Sequence, residues 1–211
     1  MHIDHVVYAV GPAGLKAEAT RFEERLGVKS IDGGLHPRFG TRMRLIPMTD
    51  GRYIEIAEVL DHPAADKAPY GRAVRARSEL GGGWLGWAIS VPDLAPIEQR
   101  LGRQAVIGTR HFPDGRLLEW RQLGVKGLIA DPQLPYFLSW VSEPSILPSA
   151  LPGLIGLARI DIAGCRDRVE QWLGAPVAEI FDGVAIHFDS PSGYPGITAV
   201  GFDTAQGLIR I

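Results

Sequence analysis

The chain has a single cysteine, Cys165, in 211 residues. An internal disulfide is therefore excluded, and so are the paired C-x-x-C ligands of zinc-ribbon and redox sites. Neither sign of charge dominates: 22 Lys and Arg stand against 24 Asp and Glu, a formal net charge of -2, which leaves no electrostatic footprint for nucleic acid. The one basic stretch, GRAVRARSE at 71–79, reads as a solvated helix face. No apolar run approaches the ~20 residues of a membrane span. The N-terminus, with Asp4 and no Lys or Arg before the first strand, lacks the layout of a signal peptide, so a cytoplasmic location is expected. Also missing are the G-x-x-x-x-G-K-[ST] loop of nucleotide hydrolases and the G-x-S-x-G elbow of serine hydrolases. By elimination the expected partner is a small molecule, with no nucleic acid and no membrane; a homodimer is left open.

What the chain does have is enough apolar sequence for a core, 45% hydrophobic against 22% charged, and an internal repeat. The endings EERLG at 23–27, EQRLG at 98–102 and EQWLG at 170–174 each close an amphipathic segment that follows an apolar β-type run. In the first segment Leu15, Ala19, Phe22 and Leu26 fall on one helical face; in the second Leu94, Ile97 and Leu101 do so, and in the third Val169, Trp172 and Leu173. Gly27, Gly102 and Gly174 then read as left-handed helix caps. Short β-type runs follow each helix, divided by Gly, Pro and Asp-Gly turn signals, so each unit reads β-α-β-β-β. The boundaries fall at 1–78, 79–143 and 144–211, with the completeness of the third unit left open. The fold expected is α+β, with repeated βαβββ units forming a curled, half-open barrel-like mixed sheet and helices on the outside. The cleft that two such units enclose is the expected ligand site.

The first strand raises a chemical question, because IDHVVYAV at 3–10 sets two polar residues in an apolar run. Strict alternation puts His5 on a face with Ile3, Val7 and Ala9, and Asp4 on the opposite face as a strand-edge hydrogen-bonding residue. In YIEIAEV at 53–59, Glu55 shares a face with Tyr53, Ala57 and Val59. A glutamate among apolar side chains is costly to bury unless it is paired or bound to a cation. The alternatives are a solvent-facing Glu55 on an edge strand and a His5 that bonds a backbone carbonyl. Counting back from the helix caps sets Trp87 and Arg159 opposite His5, so the fold itself does not demand histidine there. Arg42 and Arg44 flank Met43 and could meet an anionic substrate, while Cys165 at a helix start reads as structural.

Taken together, DHVVYAV, GGLHPRFGTRMRLI and YIEIAEV in the first unit, with GWAISVPDL, PDGRLLEWR and LPYFLSW in the second, resemble the glyoxalase-like domain of the vicinal oxygen chelate superfamily. The resemblance implies a metal-dependent enzyme of lyase, isomerase or dioxygenase type acting on a small oxygenated compound. It implies a divalent ion (Zn, Ni, Mn, Fe or Co) held by His5 and Glu55, with His36 as third ligand or acid/base group and His111 as a weaker candidate. Glu55 and His36 are the catalytic candidates. In the second unit Trp87 replaces His5, and Ser139, or Leu138 with the register moved by one, replaces Glu55. This departure points to Trp87 as a flat apolar wall for substrate; Arg42 and Tyr53 are the other substrate-binding candidates. It also sustains an alternative, a metal-free binding or sequestering protein of the bleomycin-resistance type.

Overall fold

A computed structural model of the chain describes every residue except 113, 182 and 190–193, and of His111 the backbone alone. The first unit runs β1 (His2–Ala9), α1 (Gly14–Leu26), β2 (Ile31–His36), β3 (Thr41–Pro47) and β4 (Tyr53–Val59). Two connecting helices follow, α2 (Pro63–Lys67) and α3 (Pro69–Glu79). The second unit runs β5 (Gly83–Ser90), α4 (Ala95–Leu101), β6 (Val106–His111), β7 (Leu117–Leu123), α5 (Gly127–Ala130) and β8 (Tyr136–Trp140). Their strands form one eight-stranded sheet in the order β2-β3-β4-β1-β5-β8-β7-β6. Each unit closes with its last strand parallel to its first, and the two first strands meet antiparallel at the centre. The sheet curls until its edges approach: Arg38, just after β2, donates to Thr109 of β6 at 3.3 Å. This is the curled, half-open barrel that the repeat predicted.

The helices form where the apolar period placed them. In α1 the buried residues are Leu15, Ala19, Phe22 and Leu26, and Gly27 caps the end at φ 68°. Gly102 and Gly174 do the same after α4 and the third-unit helix, at φ 60° and 82°. A side chain with a Cβ resists that left-handed conformation, which is why the repeat keeps glycine.

The third unit keeps the four strands but not their topology. It runs β9 (Gly156–Ala163), α6 (Arg166–Leu173), α7 (Val177–Ile180), β10 (Ala185–Asp189), β11 (Gly196–Thr204) and β12 (Gly207–Arg210). Its sheet has the order β10-β9-β11-β12, so the strand after the helices, not the last strand, pairs parallel with the first. Where a β-type run was expected directly after α6, the chain forms the short helix α7. Pro176 precedes it, and the Glu170 carboxylate accepts the Val177 amide at 3.1 Å.

This second sheet covers the outer face of the eight-stranded one. Trp87 packs on Phe181 at 5.6 Å between ring centroids, and Trp84 on Phe202 at 6.2 Å. One core therefore lies between the two sheets, with α1 and α6 contributing to it, while a smaller core fills the concave side against α3 and α5. No described helix is long and apolar enough to cross a membrane.

Candidate active site

β1 departs from strict alternation at the site. Its pairing with β5 runs Ile3 to Ile89 and then His5 to Ala88, so Asp4 and His5 together oppose a single step of the partner. Such a bulge turns two consecutive side chains to the same face. Asp4 therefore points with His5 to the concave side, not to the opposite face. Its Oδ1 bonds His5 Nδ1 at 2.7 Å, and its Oδ2 accepts the Trp140 Nε1 proton at 2.9 Å. An ionised carboxylate only accepts, so the proton sits on His5 Nδ1 and Nε2 is left with a free lone pair.

Tyr136, at the start of β8, meets that lone pair at 2.5 Å. Burial, with Glu55 and Asp4 adding to it, raises the Tyr136 hydroxyl well above its ordinary pKa, so it stays protonated and donates. Glu55 faces the same point from β4, its Oε2 lying 3.8 Å from His5 Nε2. Its Oε1 accepts from the Tyr70 hydroxyl of α3, which burial likewise raises far above the usual phenol range. Tyr53, the residue paired with His5 across β1 and β4, stacks on the imidazole at 4.6 Å and 21°. Asp4, His5 and Glu55 are thus buried together under three protonated tyrosines.

His5, Glu55 and the three tyrosines line one wall of a narrow cavity of about 40 Å³ on the concave face, with Asp4 behind His5. Phe39, Met43, Leu118 and Trp120 supply much of its apolar lining, and His36 and Arg110 are polar residues on it. His36, at the end of β2, is buried with Nδ1 unpartnered. Burial first, then the charge of Arg110, pushes its pKa down to about 3, so its ring is neutral near pH 7.

The expected site residues divide. His5, Glu55, His36 and Tyr53 all reach the cavity. Trp87 does not: it is fully buried on the outer face, where its Nε1 donates to the Gln133 carbonyl at 3.1 Å. The registers explain the error, since His5 pairs with Tyr53 as Ala88 pairs with Tyr136. The second-unit counterparts are therefore Ala88 for His5 and Leu138 for Glu55, and counting back from the caps misses by the bulged residue. Arg42 also lies elsewhere, half exposed and ion-paired with Glu58. The His111 side chain is outside the described residues. Asp4, Tyr70 and Arg110 were not singled out for the site; Tyr70 sits in a helix that reads as a mere connector, and a phenol there gives no signal of its own.

The glyoxalase-like domain family matches residues 3–177. The chain belongs to this glyoxalase-like family of the vicinal oxygen chelate superfamily. No curated protein matches the chain significantly. Among solved structures, a hypothetical protein from Staphylococcus aureus is similar over 99% of this chain and 98% of its own, at TM-score 0.66 and 14% identity. A methylmalonyl-CoA epimerase from Mycobacterium tuberculosis is similar over 68% of this chain and 89% of its own, at TM-score 0.44 and 15% identity. The first likeness establishes the fold.

The metal expected of a glyoxalase-like domain can be tested on the donors present. His5 Nε2 and Glu55 Oε2, 3.8 Å apart, could face one cation, and Asp4 backs the imidazole as a carboxylate backs a ligating histidine. A catalytic first-row ion takes three protein ligands. Among the described residues no three His, Cys, Asp or Glu side chains come together to hold one, so His36 does not complete the set. Tyrosine hydroxyls already engage His5 Nε2 and Glu55 Oε1. The described residues do not fit the ion that the family resemblance implied.

Proposed function

We propose that this glyoxalase-like protein catalyses proton transfer at a carbon beside a carbonyl in a small oxygenated compound. The observation that carries the reading is the meeting of Glu55 and the Asp4-backed His5 across 3.8 Å at the wall of a mostly apolar cavity. A buried carboxylate held on one oxygen by Tyr70 keeps its second oxygen for a substrate proton. Removing that proton leaves negative charge on the carbonyl oxygen. Tyr53, buried and protonated, is the donor on the cavity for such charge, since Tyr136 already gives its one proton to His5 Nε2. His5 orients Tyr136, and Asp4 fixes the imidazole tautomer that lets it do so. The apolar walls exclude water and strengthen each of these contacts.

The test is hydrogen–deuterium exchange followed by proton NMR. A panel of small ketones and 2-oxo acids is incubated in D₂O with the protein, and the loss of the C–H signal beside the carbonyl is compared with the protein-free rate. At least one compound should exchange faster with protein, and Glu55→Gln should lower that rate by about 10²-fold or more with the melting temperature little changed. Exchange by the Gln variant at the wild-type rate would remove Glu55 from the role.

A further inference from the structure

Arg110 is the charged group on the cavity that the proton-transfer reading leaves without a task. It sits in β6, faces Gly34 across the closing edges of the barrel, and is 5% exposed. Its Nε is buried with no hydrogen-bond partner, and among the described residues no carboxylate forms an ion pair with its guanidinium. Tyr53, Glu55 and Asp32 are its electrostatic neighbours, none close enough to pair. The contact it does make is with an aromatic face, the Phe112 ring at 4.8 Å. A buried charge of this kind costs several kcal/mol unless something answers it. Every buried Asp or Glu described here has its answer: Asp4 has His5 and Trp140, Glu55 has Tyr70, and Asp161 has Arg159 and Arg210.

Beside Arg110 lies the second unanswered group, neutral His36 with Nδ1 buried and unpartnered. Both line the cavity that Glu55 and His5 line. A guanidinium presents a planar fork of donors that matches two oxygens of one oxyanion, and a neutral imidazole adds one more donor. The space is small, about 40 Å³, where a single water needs roughly 10 to 15 Å³. It therefore accepts an anionic group carried on a short carbon body and excludes a bulky anion.

We propose that Arg110, with His36 beside it, is the anchor for the carboxylate of the substrate, and that the substrate class is the short-chain 2-oxo or hydroxy acids. This rests on the proton-transfer reading for the reaction, but the anchor is a binding claim and can fail separately. With the carboxylate on Arg110, the carbon skeleton extends along the Phe39, Leu118 and Trp120 wall toward Glu55.

The experiment measures binding, with no turnover. Sodium pyruvate, acetone as the neutral ketone and inorganic phosphate are each titrated into the full-length protein at constant ionic strength, with affinity read by isothermal calorimetry and by quenching of tryptophan fluorescence. Pyruvate should bind at least tenfold more tightly than acetone, and R110M should lose at least tenfold of that affinity. Without ligand, R110M should melt no lower than wild type, since it removes an unanswered charge. R110K, which keeps the charge without the fork, should fall between the two. Equal pyruvate affinity in wild type, R110K and R110M overturns the proposal, as does equal affinity for pyruvate and acetone. Tighter binding of phosphate than of pyruvate overturns the carboxylate assignment. Should R110M fail to fold, the R110K comparison decides. Failure of exchange in D₂O with pyruvate binding intact would remove the reaction and leave the anchor.

Discussion

Acidification from pH 6.5 to 4.5 should weaken the fold, and His36 is the reason. In the folded chain its pKa is pushed down to about 3 by burial and by Arg110; in the unfolded chain it returns to about 6.5. Between those values the unfolded state binds a proton that the native state refuses. Stability therefore rises with pH across the window and is lost as pH falls from 6.5 toward 3. At pH 6.5 the unfolded histidine is half protonated, and at pH 4.5 almost wholly so, while the folded one remains neutral. The difference is about 2 kcal/mol over those two pH steps, and about 5 kcal/mol in the limit below pH 3. Urea unfolding of wild type and His36→Gln at pH 6.5, 5.5 and 4.5 measures it. His2, half buried and also lowered by burial and Arg52, adds a term of the same sign that both proteins share. Glu23, held down to about 2 chiefly by the Ser30 hydroxyl, loses stability mostly below this window. The Gln variant should thus lose about 2 kcal/mol less than wild type. Equal losses in the two proteins would refute a neutral, buried His36.

Asp4→Ala should cost about 3 kcal/mol, because it leaves the His5 Nδ1 and Trp140 Nε1 donors unanswered in the interior; chemical denaturation gives the value, and a loss below about 1 kcal/mol would contradict the network. Gly71→Ala should cost about 3 kcal/mol, at the upper end for overpacking. Its new Cβ would stand 2.1 Å from the Phe39 carbonyl oxygen and 2.7 Å from Ala65 Cα. Since Tyr70 is the neighbouring residue, that variant should also lose proton-exchange activity beyond what its melting point explains.

Much of this architecture was legible because helix periodicity and capping are local. Leu15, Ala19, Phe22 and Leu26 announce one buried stripe, and a glycine ends it. The pairing of His5 with Glu55 was legible for a related reason, since both are polar residues on strand faces that are otherwise apolar. What the sequence hid was non-local. A bulge is one residue of extra length in one strand relative to another, and nothing in IDHVVYAV marks which residue is extra. That single step moved Asp4 to the wrong face and turned Trp87 into a site residue when it belongs to the core between the sheets. The sheet order of the third unit was hidden likewise, because β10 and the last strand of an ordinary unit look alike until their partners are known. Arg110 gave no sign at all, since an arginine in a strand is usually on the surface.

The two halves of the eight-stranded sheet are copies in topology, yet His5 and Glu55 stand where the other half has Ala88 and Leu138. One half carries the His and Glu side chains, while the other has apolar residues in their places and is free of that constraint on its shape. Arg110 belongs to that second half. Selection for a new substrate can therefore act on the second copy without touching the residues to which the proposal assigns proton transfer, so that this protein's relatives are expected to diverge fastest across β6 and β7 while β1 and β4 change little.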